Sequence, residues 1–587
     1  MPTNNQLALY QELKQLVAEE SRALQASHEK LLRMPVGKRV FQGKCLERVT
    51  YRQKQDNNVL RFECDENLSE FREGDPIVLH TGNPFEPVSY GNWVRDGETF
   101  SGREFVEIAV SDVGTQAIAA CGDSLMIDAG IFDPAPQLNR ALDEMGASKR
   151  GQSRILPLIE GKVQTDGVDP EEYDNAATEA ATNNFNDSQQ DGVAIGSTTD
   201  WCALIQGPPG TGKTRVLAQI VRQRLACGER ILVTACTHRA IHEALNKIHG
   251  LNPELERVAK VGVYSIDQSL EVPVYDNYAE CGFDESTEGY VIGATPFTAF
   301  SSRLNRAEFD CVIIDEASQM TLPLAIMAML SADCYVVIGD EKQLPPVLLS
   351  KCAFEAKNFG LFQRLRHVAE REMLTTTYRM NHEICRWVSS EFYSGELEPH
   401  EGCRDNVLPL SGEASQPWLN EALSSEHSLV WIPTQVENTR HYSMEEADLV
   451  NQLIAELHRR GHPLSDVGVI TPFRRQARVI RQRLRQNRTW DRADLQGVVV
   501  DTVERMQGQE RSVIILSTAA ADRRFLSAVE EFVYFPSRLN VIVSRAKVKV
   551  IVLAAENFLQ TVSAMDEVRE AIEHWRSLRE ASHVVDV

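Results

Sequence analysis

The sequence has no two cysteines close enough to form a CxxC pair, although it contains twelve cysteines. Several of them, such as Cys202, Cys311 and Cys334, lie within apolar runs. This distribution favours a reduced cytosolic protein with buried thiols over a disulfide framework or a zinc site.

Long apolar runs are also missing. Residues 1–10 are polar and contain no hydrophobic signal-peptide core. No apolar run is long enough to span a bilayer. We therefore expect a soluble, intracellular, cytoplasmic protein that has no membrane partner.

Positive charge is in short supply, since the formal net charge is −23. This balance argues against a protein that coats nucleic acid with its whole surface. It does not exclude a local basic groove, because phosphate contacts depend on local charge. Hydrophobic residues make up 43% of the chain and charged residues 25%, which is typical of globular proteins. A chain of this length predicts roughly three or four packed units.

Changes in sequence texture divide the chain into segments. Leucines at helical spacing predict a helix over residues 6–32, and glycine-separated alternating stretches over residues 40–113 predict a small antiparallel barrel or sandwich. Residues 160–191 are acidic and contain few core residues, which is typical of a linker. From residue 201 onward, short apolar runs alternate with helical patterns in two successive blocks, which indicates two doubly wound α/β domains. The predicted segments are a stalk helix at 1–35, the barrel at 36–115, a stalk or linker at 116–184, and α/β domains at 185–350 and 351–587.

The segment GPPGTGKT at residues 207–214 fits the phosphate-binding pattern G-x-x-x-x-G-K-[ST]. It follows a predicted strand at residues 203–206 and opens a predicted helix that runs toward Cys227, which is the context that the pattern requires. Glycines let backbone N–H groups turn inward around the phosphates at a helix N-terminus. We expect Lys213 to neutralise the β- and γ-phosphates of ATP and the Thr214 hydroxyl to ligate Mg²⁺.

Two neighbouring carboxylates, Asp315 and Glu316, follow the apolar run at residues 311–314. A carboxylate at the C-terminal end of a buried parallel strand faces the crevice in which nucleotides bind. Asp315 suits Mg²⁺ coordination through water, and Glu316 suits polarising the attacking water. A solvated acidic turn is the alternative interpretation, and the preceding strand and phosphate loop argue against it.

Six further segments occur in the order and spacing found in superfamily 1 helicases of subfamily B, the group around the nonsense-mediated-decay RNA helicase. They are DEASQ at 315–319, GDEKQLPP at 339–346, LTTTYRMN at 374–381, VITPFR at 469–474, TVERMQGQE at 502–510 and NVIVSRAK at 540–547. The chain resembles this family over residues 185–555. The resemblance implies an α/β fold of two tandem RecA-like P-loop domains, with an N-terminal helical stalk and a small β-barrel.

The resemblance also implies a role for each residue around the nucleotide. The catalytic residues would be Lys213, Glu316, Gln343, Arg379 and Arg545, with Gln343 sensing the γ-phosphate and both arginines acting as fingers from the second domain. Gln189 would read the adenine edge, Tyr378 would stack on the base and Glu510 would approach the ribose. The nucleotide-binding residues would be Gln189, Gly207, Pro208, Gly210, Thr211, Gly212, Lys213, Thr214, Tyr378 and Glu510, and the Mg²⁺ ligands would be Thr214 and Asp315.

A second set of residues is expected to grip the nucleic-acid strand. TACTHRAI at residues 234–241 resembles the family motif that follows the first helix, but Cys236 stands where related sequences usually have proline. Small hydroxyls and backbone N–H groups suit a grip that does not depend on sequence. The expected contacts are Thr237, His238, Thr295, Thr471, Pro472, Arg474, Arg475 and Thr502.

The segment after Pro472 is rich in arginine. Such a run either forms an electrostatic funnel for a strand or is a solvated face whose arginines pair with acidic groups. We favour strand contact for Arg474 and Arg475. For the run from Arg481 onward, which includes Arg488 and Arg492, we favour the solvated face.

The leading hypothesis is an ATP-dependent translocase or helicase on single-stranded nucleic acid, with 5′→3′ movement implied by the resemblance and DNA favoured over RNA. One alternative is a nucleotide-switched clamp or partner-recruiting ATPase with little unwinding activity. Another is an NTPase unrelated to nucleic acid. The sequence has no zinc module, appended nuclease or iron–sulfur motif, and it leaves little space for an insertion between residues 250 and 288. We therefore expect target choice to come from elsewhere, either from a protein partner or from a particular nucleic-acid structure.

Overall fold

The computed structural model describes residues 4–587. The exceptions are 56–57, 66, 68, 72–73, 99–102, 111–114, 162–167, 253–256, 263–269, 284–288, 352, 488–489, 491–494, 496 and 507. The chain forms two compact units. Residues 8–142 make up most of the first unit, and residues 143–264 and 269–587 make up most of the second.

The first unit contains a long helix and a closed barrel. The helix spans Asn4–Leu32, and its leucines at helical spacing, such as Leu9, Leu13 and Leu16, are buried. The barrel strands follow the order β1-β2-β5-β4-β3-β6 and pair antiparallel throughout. They are β1 (Cys45–Lys54), β2 (Val59–Cys64), β3 (Pro76–His80), β4 (Ser89–Glu98), β5 (Glu104–Val110) and β6 (Leu125–Ala129).

The barrel extends past its predicted end at residue 115. Strand β6 pairs with both β1 and β3 and so closes the barrel. The sequence prediction missed it because β6 has only five residues and follows two short helical turns, Thr115–Ala119 and Gly122–Ser124. Strand β6 also carries the buried Asp128 carboxylate, which accepts from Arg39 Nε at 2.8 Å.

The predicted linker at residues 160–191 contains packed helices. Helix Pro170–Thr182 begins at an Asp169 cap that accepts from the backbone N–H of Glu171 at 2.9 Å, and helix Asp187–Thr198 follows it. The prediction failed because the buried residue of the first helix is the small Ala180, while Tyr173 is only partly buried against the core. Gln223 of the P-loop helix reinforces this contact by donating to the Ala176 carbonyl at 3.0 Å.

The first α/β domain, which corresponds to the first motor domain of the family that the sequence resembles, is built on a parallel sheet with the strand order β10-β9-β11-β8-β12-β13-β7-β14. Its strands are β7 (Cys202–Gln206), β8 (Arg230–Thr234), β9 (Val258–Val261), β10 (Val274–Tyr275), β11 (Tyr290–Gly293), β12 (Cys311–Ile314), β13 (Cys334–Gly339) and β14 (Glu370–Met373). The central strands are buried along their whole length, as their continuous apolar runs predict. The longer helices around them are Lys213–Ala226, His238–Leu251 and Leu322–Met329.

The first motor domain also runs past its predicted end at residue 350, because β14 pairs in parallel with β7. Strand β14 has the sequence EREM and is only partly buried at the sheet edge. An edge strand with three charged residues lacks the apolar run that revealed the central strands.

The second motor domain has a parallel sheet with the order β19-β18-β20-β21-β17-β22, and a short pair, β15 and β16, precedes it. The strands are β15 (Thr376–Thr377), β16 (Glu398–Pro399), β17 (Leu429–Thr434), β18 (Val467–Ile470), β19 (Val499–Asp501), β20 (Arg511–Ser517), β21 (Ala546–Ala555) and β22 (His583–Val584). The longer helices are His382–Phe392, Met444–Arg459, Arg474–Gln486, Pro536–Val543 and Asp566–Ala581.

The predicted fold class, two tandem P-loop-type α/β domains with an N-terminal helix and barrel, is confirmed. The apolar runs predicted as strands at residues 203–206 and 311–314 lie in β7 and β12 of the first motor sheet. Within the described part of the chain, no helix combines the length and apolar character needed to cross a membrane.

Candidate active site

The phosphate loop, Asp315 and Asp340 lie at one edge of the first motor sheet. They follow β7, β12 and β13, and the carboxyl ends of parallel strands meet at the same edge. The Gly207 N–H donates to the Gly339 carbonyl at 2.9 Å and so joins the start of the phosphate loop to the end of β13.

Glycines shape the phosphate loop. Gly210 and Gly212 have φ angles of 76° and 83°, in the left-handed region that glycine adopts without strain. Gly212 lies directly before helix Lys213–Ala226, whose N-terminus favours anions. A side chain on Gly207 would overlap Lys213, whose ammonium donates to the Gly207 carbonyl at 2.8 Å.

The first residues of the second motor domain cross directly over this loop. The Tyr378 N–H donates to the Gly210 carbonyl at 2.8 Å, and the Thr377 hydroxyl donates to the Pro209 carbonyl at 2.9 Å. A Cβ on Gly210 would lie 2.6 Å from the Arg379 Cβ and 2.6 Å from Thr377 Oγ1. The second domain therefore approaches the phosphate loop so closely that residue 210 has no room for a side chain.

Arg379 is held by groups of its own domain. Its Nε donates to a Glu510 carboxylate oxygen at 2.7 Å, and its Nη1 donates to the Ser544 carbonyl at 3.0 Å. Burial raises the pKa of Glu510, but the neighbouring Arg379 and Lys547 outweigh it, so that the net shift is downward. The predicted contact of Glu510 with the ribose stays a prediction, since its carboxylate here binds the two cations.

Arg545 meets the first domain at Gln343. Its Nη2 donates to Gln343 Oε1 at 3.3 Å, and both side chains are buried. Burial, reinforced by the positive charge of Arg379, lowers the pKa of Arg545 to about 9. Arg545 Nε has no hydrogen-bond partner among the described residues. A buried guanidinium of this kind suits a site that receives anionic phosphate groups.

Asp315 and Glu316 follow β12 as predicted. Burial and the charge of Glu316 raise the pKa of Asp315 to about 7, and the Lys213 ammonium opposes this shift. Glu316 has a φ angle of 50°, in the left-handed region. This conformation costs roughly 1 kcal/mol in a residue other than glycine. Residues held in this region cluster at active sites, and Glu316 directly follows the predicted Mg²⁺ ligand Asp315.

These residues fit ATP and Mg²⁺. The buried Arg545 guanidinium carries an Nε donor that no described residue satisfies and that a phosphate oxygen would satisfy. A threonine hydroxyl and a carboxylate are the hard oxygen ligands that Mg²⁺ prefers. Thr214 and Asp315 would hold the ion together with nucleotide phosphates, and the ion would neutralise phosphate charge. Among the described residues, no group of three or more histidine, cysteine or acidic side chains gathers as around a metal ion.

Tyr378 lies beside the phosphate loop and is 40% exposed, which suits a residue that stacks on a base. One neighbour is His400, whose ring centroid is 4.6 Å away. The Tyr378 hydroxyl accepts from Asn186 Nδ2 at 2.9 Å. His400 was not among the predicted site residues, because it belongs to none of the motifs.

Gln189 is buried rather than open to a base. Its Oε1 accepts from the Asn186 N–H at 3.2 Å, and its Nε2 donates to the Thr211 carbonyl at 2.9 Å. Its amide therefore ties the start of helix Asp187–Thr198 to the phosphate loop. Its contact with the adenine edge stays a prediction.

Two predicted strand contacts in the first motor domain follow neighbouring strands. Thr237 comes after β8 and Thr295 after β11, and these two strands are paired. Each threonine caps the helix that follows it. The Thr237 hydroxyl accepts from the Ala240 N–H, and the Thr295 hydroxyl accepts from the Thr298 N–H, both at 3.2 Å. Thr237 and His238 are exposed. Nearby, burial raises the pKa of Cys236 to about 12.

In the second motor domain, the predicted contacts follow the paired strands β18 and β19. Pro472 is half-buried, and Arg474 and Arg475 are exposed. Thr471 and Thr502 are buried, however, and the Thr471 hydroxyl accepts from Phe473 N–H at 3.4 Å. Both side chains are covered by protein in this structure, and their contact with nucleic acid stays a prediction.

The later arginines are engaged by the protein. Arg481 donates to the Val500 carbonyl at 2.9 Å, and Arg483 donates to Asp448 at 3.0 Å. This agrees with the solvated, paired face favoured from Arg481 onward. Arg488 and Arg492 lie outside the described residues.

Known proteins match this chain across both motor domains. Residues 189–349 and residues 358–557 each match a family described as an AAA domain. The mouse protein DNA replication ATP-dependent helicase/nuclease DNA2 is 30% identical over 397 residues. The chain belongs to the superfamily 1 helicases.

The matches cover most of this chain but only a minor part of each relative. The match to the mouse protein covers 61% of the chain but 36% of the relative. The fission yeast DNA replication ATP-dependent helicase/nuclease dna2 is 28% identical, with 63% of the chain and 28% of the relative covered. The chain thus spans about a third of the length of these relatives. The crystal structure of Arterivirus nonstructural protein 10 (helicase) matches at a TM-score of 0.38 and 15% identity, covering 89% of this chain and 80% of that chain.

Proposed function

We propose that the chain is an ATP-dependent translocase or helicase that moves 5′→3′ on single-stranded nucleic acid. It would bind ATP with Mg²⁺ and couple hydrolysis to closure of the two motor domains. DNA is the favoured track, because the curated relatives are named as DNA replication helicase/nucleases. A protein partner would supply target choice.

One observation carries the proposal, namely the approach of Arg379 to the phosphate loop. Arg379 belongs to the second domain, and its Cβ lies 2.6 Å from the position of a Cβ on Gly210. Arg545, also from the second domain, bonds to Gln343 of the first. Phosphoryl transfer depends mainly on positioning and on stabilising charge. A site whose arginines come from the opposing domain would therefore hydrolyse ATP only when the domains close.

In this mechanism each residue has one task. Lys213 and the loop N–H groups bind the phosphates, and Glu316 orients the attacking water and takes up its proton. Arg379 and Arg545 stabilise the charge that develops on the phosphoryl group. Gln343 couples the γ-phosphate position to Arg545, because its amide already bonds to that guanidinium. Closing and reopening would move the strand-facing loops of the two domains relative to each other.

The nucleic-acid path is proposed along the loops that carry Thr237, His238 and Thr295 in one domain and Pro472, Arg474 and Arg475 in the other. Hydroxyls, backbone N–H groups and cationic side chains suit the sugar-phosphate chain without reading sequence. The support for this path is its position, since all of these residues follow the C-terminal ends of sheet strands.

The deciding experiment is ATP hydrolysis by the purified chain, alone and with single-stranded DNA or RNA. We expect strong stimulation by DNA and a loss of at least about a hundredfold in Lys213→Ala and in Glu316→Gln. The two variants should lose activity for different reasons, because Glu316→Gln should still bind ATP. Stimulation by RNA alone would reassign the track. Hydrolysis that is indifferent to both polymers would contradict the motor and favour an NTPase unrelated to nucleic acid.

Direction needs its own assay. Duplexes with a 5′ or a 3′ single-stranded overhang should be unwound from the 5′ overhang if movement is 5′→3′. Preference for the 3′ overhang would overturn the proposed polarity. DNA-stimulated hydrolysis without any strand displacement or streptavidin displacement would favour the nucleotide-switched clamp.

A further inference from the structure

A buried polar chain links the two motor domains behind Gln343. Its first member is Tyr393, which directly follows helix His382–Phe392 and belongs to none of the helicase motifs. The Tyr393 hydroxyl donates to Asp340 Oδ2 at 2.6 Å and accepts from Asn540 Nδ2 at 2.9 Å. Asp340 belongs to the first domain, whereas Tyr393 and Asn540 belong to the second.

Asp340 passes this contact on to Gln343. The same carboxylate oxygen that accepts from Tyr393 also accepts from Gln343 Nε2 at 2.9 Å. The other oxygen accepts from the Lys342 N–H at 3.1 Å and from Gln206 Nε2 at 3.3 Å. The Asp340 carboxylate is therefore fixed by donors from both domains.

The Gln343 amide is bonded at both ends. Asp340 accepts from its nitrogen, and Arg545 donates to its oxygen at 3.3 Å. The hydrogen-bonded series Tyr393–Asp340–Gln343–Arg545 thus begins in the second domain, passes through two residues of the first domain and ends in the second. Every member is buried, so an unmade bond would cost far more than it does in water.

We propose that Tyr393 is a positioning residue that sets the Gln343 amide, and through it Arg545, for hydrolysis when the domains close. The inference rests on the proposed ATPase function. Tyr393 acts only through Asp340 and Gln343, and its hydroxyl is the second domain's donor to the carboxylate that orients the amide. Without that hydroxyl, Asp340 keeps its first-domain donors but loses its tie to the second domain.

The test is Tyr393→Phe in the full chain, because this change removes the hydroxyl and keeps the ring. Tyr534→Phe is the matched control. Tyr534 is equally buried in the second domain, and its hydroxyl bonds to the Phe558 carbonyl at 2.6 Å and to Thr561 at 2.9 Å within that domain. Both variants lose buried hydrogen bonds, but only Tyr393→Phe loses one between domains.

We expect Tyr393→Phe to lower the DNA-stimulated kcat about tenfold while the KM for ATP and the Kd for a nonhydrolysable analogue change less than about threefold. Tyr534→Phe should lower Tm but keep kcat within about twofold of the wild type. A wild-type kcat in Tyr393→Phe, or equal losses in both variants, would overturn the positioning role.

Hydrogen exchange separates this proposal from the proposed function. The Lys342 N–H donates to the Asp340 carboxylate, which loses its second-domain anchor in Tyr393→Phe, so exchange in residues 341–344 should speed up in that variant and stay unchanged in Tyr534→Phe. If the wild-type chain proves unable to hydrolyse ATP, the proposed function fails. Unchanged exchange in Tyr393→Phe would contradict the link itself.

Discussion

Arg379 and Glu510 form an ion pair at 2.7 Å within the second motor domain, and the arginine faces the phosphate loop of the first. The second domain therefore orients the guanidinium itself. A preoriented finger has little side-chain freedom left to lose when the domains close. The pair is partly buried, which limits screening by solvent and salt.

Arg379→Ala should abolish most hydrolysis while leaving nucleotide binding in place. Loss of an arginine finger lowers kcat by about a thousandfold or more, because the finger acts on charge that develops during the reaction. The phosphate loop and Lys213 are untouched, so the Kd for ATP should change less than about fivefold. Steady-state kinetics and binding of a fluorescent ATP analogue would measure the two effects.

Arg386→Ala is the control for this variant. Arg386 is an exposed arginine on helix His382–Phe392 of the same domain. The Arg386→Ala variant should hydrolyse ATP like the wild type. An Arg379→Ala enzyme that retained more than about a tenth of the wild-type kcat would contradict the finger role.

Gly210→Ala should block closure of the site. Its Cβ would lie 2.6 Å from the Arg379 Cβ and from Thr377 Oγ1, so the second domain would have to move away. Gly228→Ala is the matched control, since Gly228 has a φ angle of 80° but nothing within 4 Å of an added Cβ. Each variant should lose about 1 kcal/mol of stability from left-handed backbone strain.

Only Gly210→Ala should lose DNA-stimulated ATPase activity, by at least about tenfold. Thermal melts of both variants would report the shared strain, and kinetics would report the clash. Similar activity in the two variants would mean that the close approach of the second domain does not matter for hydrolysis.

The sequence predicted those parts of the site that use strong local signals. Lys213, Asp315 and Glu316 each follow a continuous apolar strand, and parallel strands that end at one edge must bring such residues together. Residues whose role depends on contacts between distant segments left no such signal. His400 and Tyr393 are examples, because their partners Tyr378 and Asp340 lie far away in the sequence.

Burial was the other property that the sequence did not reveal. Thr471 and Thr502 stand in motifs at strand ends, but whether a hydroxyl points outward depends on the packing of the loop. Strands β6 and β14 were missed for a related reason. Both are short, and β14, with the sequence EREM, also lacks an apolar pattern.

Arg475 and Arg483 should separate strand contact from surface pairing. Both are on helix Arg474–Gln486, but Arg475 is exposed next to Pro472 whereas Arg483 is paired with Asp448. If Arg475 neutralises a phosphate, Arg475→Ala should reduce the slope of log K against log salt for single-stranded DNA by about 0.7. Arg483→Ala should leave the slope unchanged.

Fluorescence anisotropy over a salt series would measure both slopes. The Arg475 guanidinium also lies 4.1 Å from the centre of the Tyr442 ring, so a thermal melt should accompany the titration. A slope that falls in Arg483→Ala but not in Arg475→Ala would move the proposed path further along the helix.

Glu446 should make the fold less stable as the pH rises toward neutrality. It is buried in the second domain, where its Oε2 accepts from the Ser517 hydroxyl at 2.6 Å and from Ala519 N–H at 2.9 Å. Its Oε1 has no partner among the described residues. Burial raises the pKa of Glu446 from 4.5 to about 7, although these two hydrogen bonds oppose the shift.

The sign follows from proton binding. Between pH 4.5 and about 7 the folded chain holds a proton on Glu446 that the unfolded chain has released, so the free energy of unfolding falls as the pH rises. Glu446→Gln keeps an oxygen acceptor and removes the titration. The Tm of the variant minus that of the wild type should therefore increase from pH 5 to pH 7.5 and level off above it, with a limiting effect of about 3 kcal/mol.

The difference between the two melts isolates this one group. The raised pKa of Asp315 has the same sign, but Asp315 is present in both proteins and its contribution cancels. Glu580→Gln, the same substitution at an exposed site on helix Asp566–Ala581, is the control variant. A flat difference for Glu446→Gln would show that its carboxylate is ionised at low pH in the folded protein. The unpartnered oxygen would then have to be hydrated rather than buried.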